Sequence, residues 1–391
     1  MIFQSSMERF LGYGREPRKI IVTGGSGFLG QQLLKVCSEA GHKVVNVDLS
    51  QPRDEQYQHI PCVQSDLSDP MRTHAAFSKA KHEYLDGRID DVFHLAAVVS
   101  YTLSYQKLEG PNVRSTYNVV QECINNDSFL VHMSGTAVLG HVDRAMQEDD
   151  PLKPVEDYGK SKAEAEKIIF QHSQNDGLQA IVFRSTAPVG PGLETAGINN
   201  LYKMILNQPI ILATKGSNVT YVNTEDIARA FLFAAENEQR VRQIPDSLDK
   251  IVYNLGVHKP LSDKEMAEHL VAGIVGEGKK KVMEVPHWLV YAFSYLPGTA
   301  NMVANAARFL AGKRHQEPDI CPNLAHLMKG PHFQDYHKFE KYFENNGFKF
   351  NYPTPEEVLD TGVVHKFRTE WSHLEAPERI KKLMGVKWQE K

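Results

Sequence analysis

Over the first two thirds of the chain, short apolar runs rich in Val and Ile alternate with longer stretches of helical period. The runs are Lys19-Ile-Ile-Val-Thr23, Lys43-Val-Val-Asn-Val-Asp48, His59-Ile-Pro-Cys-Val-Gln-Ser-Asp66, Asp91-Val-Phe-His-Leu-Ala-Ala97, Phe129-Leu-Val-His-Met-Ser134, Gln179-Ala-Ile-Val-Phe-Arg184 and Lys250-Ile-Val-Tyr-Asn-Leu-Gly256. Near-continuous apolar runs of this length read as strands buried on both faces, and their alternation with helices predicts an α/β doubly wound parallel sheet of Rossmann type. The clearest helical stretch between them runs from Lys160 to Gln174. Pro188-Val-Gly-Pro-Gly192 marks where the chain leaves the sheet. From Leu261 onward the pattern becomes helical and rich in Met, His and aromatics, broken at Pro286, Pro297, Pro318, Pro322, Pro331 and Pro353. That change predicts a smaller, mainly helical substrate-binding region, and no internal repeat complicates the reading.

The first strand runs into Gly24-Gly-Ser-Gly-Phe-Leu-Gly30. Gly24, Gly27 and Gly30 fit one spacing of a dinucleotide-binding fingerprint, and Gly25, Gly27 and Gly30 fit the other. Glycine allows a sharp turn and lets a pyrophosphate approach without a Cβ in the way. A helix starting near Phe28 would aim its unpaired N–H groups and positive dipole end at that pyrophosphate, with Leu29 in the same turn. The second strand ends in Asp48, at the distance expected of a carboxylate that holds the adenosine ribose hydroxyls. A carboxylate there repels a 2′-phosphate, so NAD is expected over NADP; Arg53 lies near enough to leave some NADP use open.

Composition narrows the class. The 391 residues carry 44 Lys plus Arg against 48 Asp plus Glu, a formal charge of −4, with no basic block of the kind nucleic-acid binding needs. Cys37, Cys62, Cys123 and Cys321 are widely spaced and form no C-x-x-C pair, which suits reduced thiols in a cytoplasmic protein. None of the 17 histidines falls in a metal-binding spacing such as H-E-x-x-H, so no metal is expected. The first eighteen residues carry Glu8, Arg9, Arg15 and Glu16 and do not read as a signal peptide. The most lipid-friendly stretch, Trp288 to Leu296, is far short of the ~20 residues that span a bilayer. It reads as a buried or substrate-lining helix, with peripheral contact to a membrane as the alternative.

The chemistry centres on Tyr158-Gly-Lys-Ser-Lys162. Tyr158 is the only tyrosine with a lysine four residues on, which puts phenol and ammonium on one face of a helix. A phenol titrates near ~10. An adjacent ammonium stabilises the phenolate and lowers that value, so the pair can act as acid–base in an alcohol/ketone interconversion.

With these motifs the chain resembles the extended short-chain dehydrogenase/reductase family, over about residues 18 to 260. Asp66-Leu67 matches the family's adenine border, and His94-Leu-Ala-Ala97 is similar to the strand end that passes under the cofactor, through Leu95, Ala96 and Ala97. Asn112 to Val119 is similar to the central helix whose first Asn supports the catalytic helix; Arg184 to Gly192 and Tyr221 to Ala228 match later signatures. The resemblance implies that Tyr158 is the acid–base group and that Lys162 holds the nicotinamide ribose. It also implies a Ser or Thr hydroxyl at the end of the fifth strand, where this chain reads His132-Met-Ser-Gly-Thr-Ala-Val138. In the epimerase register Gly135 stands at that position; in the register of the plant-type ketone and aldehyde reductases Ser134 does. Ser134 is the first choice for the catalytic hydroxyl and Thr136 the fallback.

Substrate class follows from departures. Members acting on nucleotide sugars read R-Y-F-N-x-x-G after the sixth strand and carry an Arg-Asp pair before the later aromatic-Val signature. This chain has Ala187 in place of the Asn, and Val219 and Thr220 in place of the pair. A charge-assisted phosphate contact has no substitute among methyl groups. The pattern is nearest the 3β-hydroxysteroid and sterol-4-carboxylate dehydrogenase branch, which implies a small apolar alcohol or ketone, sterol-like or 3-hydroxyacyl. A nucleotide-sugar epimerase or dehydratase and a non-catalytic NAD-binding regulator are the alternatives, and the resemblance adds pairing of two copies as a homodimer. The expected organisation is an NAD-binding domain at 18–186 and 221–257, a substrate-binding region at 187–220 and 258–362, and terminal extensions at 1–17 and 363–391.

Overall fold

A computed structural model describes residues 16–52, 54–191, 205–206, 209–238, 245–289, 291, 331–370, 372–374 and 378. Arg53, Gly192, Cys321, Pro297, Pro318, Pro322 and most of the Trp288 to Leu296 stretch lie outside the described residues, as does most of each terminal extension.

The seven apolar runs form one seven-stranded sheet. Its strands are β1 (Lys19–Thr23), β2 (Lys43–Asp48), β3 (Cys62–Gln64), β4 (Asp91–His94), β5 (Phe129–Gly135), β6 (Ala180–Ser185) and β11 (Val252–Asn254). Their order across the sheet is β11-β6-β5-β4-β1-β2-β3, and every neighbouring pair is parallel. β3 is shorter than its run because Pro61 has no N–H to give a ladder; its carbonyl instead accepts from Asn46 N. The chain builds outward from β1 in both directions, so the topological switch lies between β1 and β4, where sheets of this type open a ligand crevice at the carboxyl ends of the strands.

The period of two inside each run supplies two apolar faces. Ile20, Val22, Phe93, Phe129, Val131, Ile181 and Phe183 point to one side. There they meet α1 (Phe28–Glu39) through Leu33 and Leu34, and α5 (Thr224–Glu236) through Ile227 and Phe231. Ile21, Val45, Val47, Val92, Leu130 and Val182 point to the other. They pack on α2 (Pro70–Lys79), α3 (Ser115–Asn126) and α4 (Asp157–Asn175). Burying one such aliphatic side chain is worth about 1.5–3 kcal/mol, so the two faces, rather than any hydrogen bond, account for the sheet's cohesion.

A third apolar cluster lies off the sheet and joins Val189, Ile211, Tyr221, Leu261, Leu270, Val364 and Phe367. Its helices are α6 (Asp263–Ile274), opened by a Ser262–Glu265 capping box, and the short α8 (Pro355–Leu359) and α9 (His365–Arg368), while α7 (His337–Tyr342) sends Phe339 to the first sheet face. Short strands are interleaved with them: β7 (Ala187–Val189) beside β10 (Tyr221–Asn223), β8 (Ile210–Thr214) beside β13 (Lys281–Val285), and β9 (Asn218–Val219) between β12 (Leu261–Ser262) and β14 (Pro331–His332). Phe28, at the start of α1, packs on this third cluster and ties the glycine turn to it. Among the described residues no helix is long and apolar enough to cross a membrane.

Candidate active site

The glycine turn divides its labour among four residues. Gly24 has φ +74°, in the left-handed region, and a Cβ on it would stand 2.7 Å from Ala96 N. The turn after β1 is therefore pressed on the backbone that leaves β4. A Cβ on Gly30 would lie 2.1 Å from Gly24 O and 2.5 Å from Gly25 Cα, and one on Gly25 would lie 2.4 Å from Asn46 Oδ1. Gly27 is different: the only atom near its absent side chain is Gly24 O, at 3.2 Å. It is the N-cap of α1, with no side-chain cap and no acidic residue in the first turn. Both fingerprint spacings thus have a basis. Gly24, Gly25 and Gly30 close the turn, and Gly27 leaves a bare helix N-terminus of the kind that takes phosphate.

Asp48 borders this turn. Its Oδ2 accepts from Ser26 N at 3.0 Å and its Oδ1 from Ser50 N at 3.2 Å, which leaves lone pairs on both oxygens for ribose hydroxyls. Leu29 packs on the first sheet face. Asp66 accepts from Ser68 N and Oγ at 2.9 and 2.7 Å, and these bonds hold its carboxyl below the ordinary range. Leu67 is buried, its carbonyl accepting from Asn118 and Thr73. These residues fit a bound NAD. Gly30→Ala is expected to cost about 2–3 kcal/mol, because two backbone segments rather than a flexible side chain meet the new methyl. Gly27→Ala should keep the fold and lose coenzyme affinity. Thermal melts with and without NAD distinguish the two; equal melting shifts for both variants would overturn this division.

Glu156 sets the start of α4 by accepting from Tyr158 N and Gly159 N, both at 2.6 Å. Tyr158 therefore sits in the first turn and Lys162 one turn on. A relay of contacts connects this helix with the glycine turn. Ala96 touches the Gly24 site. Two residues on, Val98 N donates to Asn112 Oδ1 at 2.7 Å, and Asn112 Nδ2 donates to Val98 O at 3.0 Å and to Ser161 Oγ at 2.9 Å. Tyr101, which the sequence did not single out, meets the Tyr158 ring edge-on at 5.6 Å. Val98 and Val99 are exposed on the same segment.

The Lys162 ammonium donates to Met133 O at 2.6 Å and to His132 Nε2 at 3.1 Å, both on β5. Burial brings it down to about 8, against the opposing pull of Glu166. The Tyr158 phenol is pushed up, first by burial and then by the Glu156 carboxylate. The lowered phenol expected from an adjacent ammonium is thus not what this arrangement produces, because Lys162 is turned toward β5.

Ser134, the first choice for the catalytic hydroxyl, is committed elsewhere. Its Oγ donates to Glu166 Oε1 at 2.5 Å, in a buried network where Arg184 Nη2 and Nε reach Glu166 at 2.7 and 3.0 Å. The reason is strand alternation: Ser134 shares the α4 side of β5 with His132, so it faces the middle of that helix. Thr136 opens the next turn, Thr136–Val138, and its hydroxyl makes no hydrogen bond to a described residue. Gly135 between them is extended, with φ −157°, and a Cβ there would meet only Ser185 O at 3.4 Å.

The His94 and His132 rings lie 5.1 Å apart. Thr23 Oγ1 and Thr116 Oγ1 flank His94 at 2.7 and 3.0 Å. Burial, then the Lys162 charge, brings His94 down to about 3, and burial with the nearby His141 brings His332 to about 4. Both are held neutral when folded, whereas an unfolded chain protonates them near ~6.5. Between pH 6.5 and about 3 the unfolded state binds more protons, so stability should fall as pH falls through that window. Urea midpoints at stepped pH check this; a flatter acid limb in His94→Gln is the expected signature, and an unchanged one removes His94 from the account.

The chain is 27% identical over 309 residues to short-chain dehydrogenase/reductase family 42E member 1 of Xenopus laevis, spanning 72% of this chain and 74% of that protein. It is 25% identical over 234 residues to 3 beta-hydroxysteroid dehydrogenase/Delta 5→4-isomerase of Mycobacterium tuberculosis, spanning 56% of this chain and 60% of that one. In structure it is similar to UDP-glucose 4-epimerase from Brucella ovis in complex with NAD, with a TM-score of 0.65 and 18% identity, over 89% of this chain and 98% of that one. Residues 20–256, more than half of the chain, match the NAD dependent epimerase/dehydratase family, and to that family of NAD-binding, extended short-chain dehydrogenase/reductase proteins this chain belongs.

Proposed function

We propose that the chain is an oxidoreductase that interconverts a secondary alcohol and a ketone on an apolar substrate, sterol-like or 3-hydroxyacyl. The observation that carries the reading is the relay Gly24–Ala96–Val98–Asn112–Ser161, which fastens the helix of Tyr158 to the NAD turn. The segment beside the phenol exposes Val98 and Val99 and sets Tyr101 edge-on against the Tyr158 ring, surroundings that suit hydrocarbon better than a sugar. At the positions where nucleotide-sugar members keep charged anchors, Val219 is in a strand pair and Thr220 is buried, its Oγ1 3.4 Å from Thr186 Oγ1. The Mycobacterium tuberculosis relative is itself described as a hydroxysteroid enzyme.

Gly27 and the α1 N-terminus would hold the pyrophosphate, and Asp48 the adenosine ribose. Leu95, Ala96 and Ala97 would pass beneath the coenzyme and Lys162 would hold its nicotinamide ribose. Bound NAD supplies the hydride acceptor. In oxidation Tyr158 takes the hydroxyl proton as phenolate, a form that burial and Glu156 oppose and that the positive charge of bound oxidised NAD would favour; in reduction the phenol returns one. Since Ser134 is bonded to Glu166, Thr136 is the hydroxyl that holds the substrate oxygen and fixes its approach. Two copies pairing through the helices that flank the site complete the reading. A panel of 3β-hydroxysteroids, 3-hydroxyacyl compounds and UDP- or dTDP-sugars, followed by NADH absorbance, tests it. Turnover of the first two classes is the expected result; turnover confined to sugar nucleotides would replace the reading by that of an epimerase or dehydratase.

A further inference from the structure

We propose that His132 is a positioning residue for Lys162: as a neutral acceptor at Nε2 it works with Met133 O to fix two of the three ammonium N–H groups, and so sets the direction of the third. The inference rests on the reading above, in which Lys162 holds the nicotinamide ribose of the coenzyme one helical turn from Tyr158. Two acceptors on one strand, at 3.1 and 2.6 Å, leave a tetrahedral ammonium a single N–H, directed away from β5. A lysine held by the carbonyl alone could swing about that one bond.

The histidine is not explained by packing. It is buried, and its Nδ1 has no hydrogen-bond partner. An ammonium that donates to Nε2 requires the proton on Nδ1, so the fold keeps a buried N–H unpaired, a penalty that Phe or Leu of similar size would avoid. The ring leans on its neighbour His94, with centroids 5.1 Å apart and planes tilted by 36°, and Thr23 and Thr116 anchor that neighbour.

The charges around Lys162 keep His132 in that role. Glu166 lies one turn along α4 and is paired with Arg184; Tyr158 lies one turn before; His94 and His132 face it from β4 and β5. Burial first, then the Lys162 charge, pushes His132 well below its ordinary range, so the ring stays an acceptor wherever the lysine is charged. An acceptor favours the charged lysine. Its removal should therefore make Lys162 lose its proton at lower pH.

The test is a pH titration of the Lys162 13Cε resonance in the full-length, lysine-labelled protein, assigned by Lys162→Arg. His132→Phe keeps the ring volume and removes the acceptor; its lysine midpoint should fall by about one pH unit. His132→Asn, too short to reach Nζ, should do the same, and His132→Gln, whose Oε1 can stand near the Nε2 position, should restore the wild-type midpoint. In turnover assays the alkaline limb should move down with the midpoint, and kcat should fall about tenfold in the Phe and Asn variants and recover in Gln. A midpoint unmoved in folded Phe or Asn variants, or moved as far in Gln as in Phe, overturns the proposal. If the midpoints shift while the wild-type protein turns over none of the substrate panel, the contact stands and the enzymatic reading falls.

Discussion

Tyr158→Phe is expected to lower kcat/KM by roughly a hundredfold to ten-thousandfold while leaving NAD affinity nearly intact, the range in which a positioned acid–base group contributes. The substitution removes one oxygen and its proton. In the folded protein that oxygen makes no hydrogen bond to a described residue, and what Tyr158 gives to structure comes from its backbone: its N–H donates to Glu156 and its carbonyl accepts from Ser161 Oγ. The edge-on contact with Tyr101 is made by the ring, which Phe retains. Stability should therefore change little, and a loss of activity cannot be charged to unfolding. Steady-state rates, a melting curve and calorimetric titration with NAD decide the matter together. Rates comparable to wild type would remove Tyr158 from the chemistry.

Breaking the pair of Glu166 and Arg184 should have the largest effect on stability. Both side chains are wholly buried. Glu166 also accepts from Ser134, and Arg184 donates to Glu148 O at 3.1 Å, so the pair links α4, β5 and β6 with the segment that leads into α4. Glu166→Leu leaves a guanidinium without its counter-charge in a dry interior, which costs about 3–5 kcal/mol and lowers Tm by roughly 4–6 °C in a chain of this length. Arg184→Met should cost a similar amount. The double variant should recover a large part of the loss, because two matched hydrophobic side chains replace a pair whose own attraction barely exceeds its desolvation. A double-mutant cycle by urea denaturation measures that coupling. Additive losses would show that the two groups act separately.

How much could be read in the sequence differs from residue to residue. β5 shows both sides of it. Its apolar run and period of two were plain, so its place as a buried strand was legible. The same alternation also puts His132 and Ser134 on one side of the strand, facing α4. That position explains why Ser134 bonds Glu166, and why His132 meets Lys162. Spacing could have raised the second contact, since Lys162 and Glu166 are also one turn apart, but only a known strand–helix register pairs the two sets. The glycines were readable as a turn, whereas their separate duties depend on Ala96 and Asn46, which arrive from β4 and β2.

Local order along the chain thus determined the parallel sheet, the glycine turn bordered by Asp48, and the placing of Tyr158 and Lys162 on one helical face. Those features arise from periodicity and from residue types whose backbone preferences act over a few positions. The tertiary structure alone decided where the Lys162 ammonium points, that the Ser134 hydroxyl bonds Glu166, and which buried charges are paired. Each of those depends on groups from different elements competing for the same donors and acceptors in a space without water, where an unmade bond is costly.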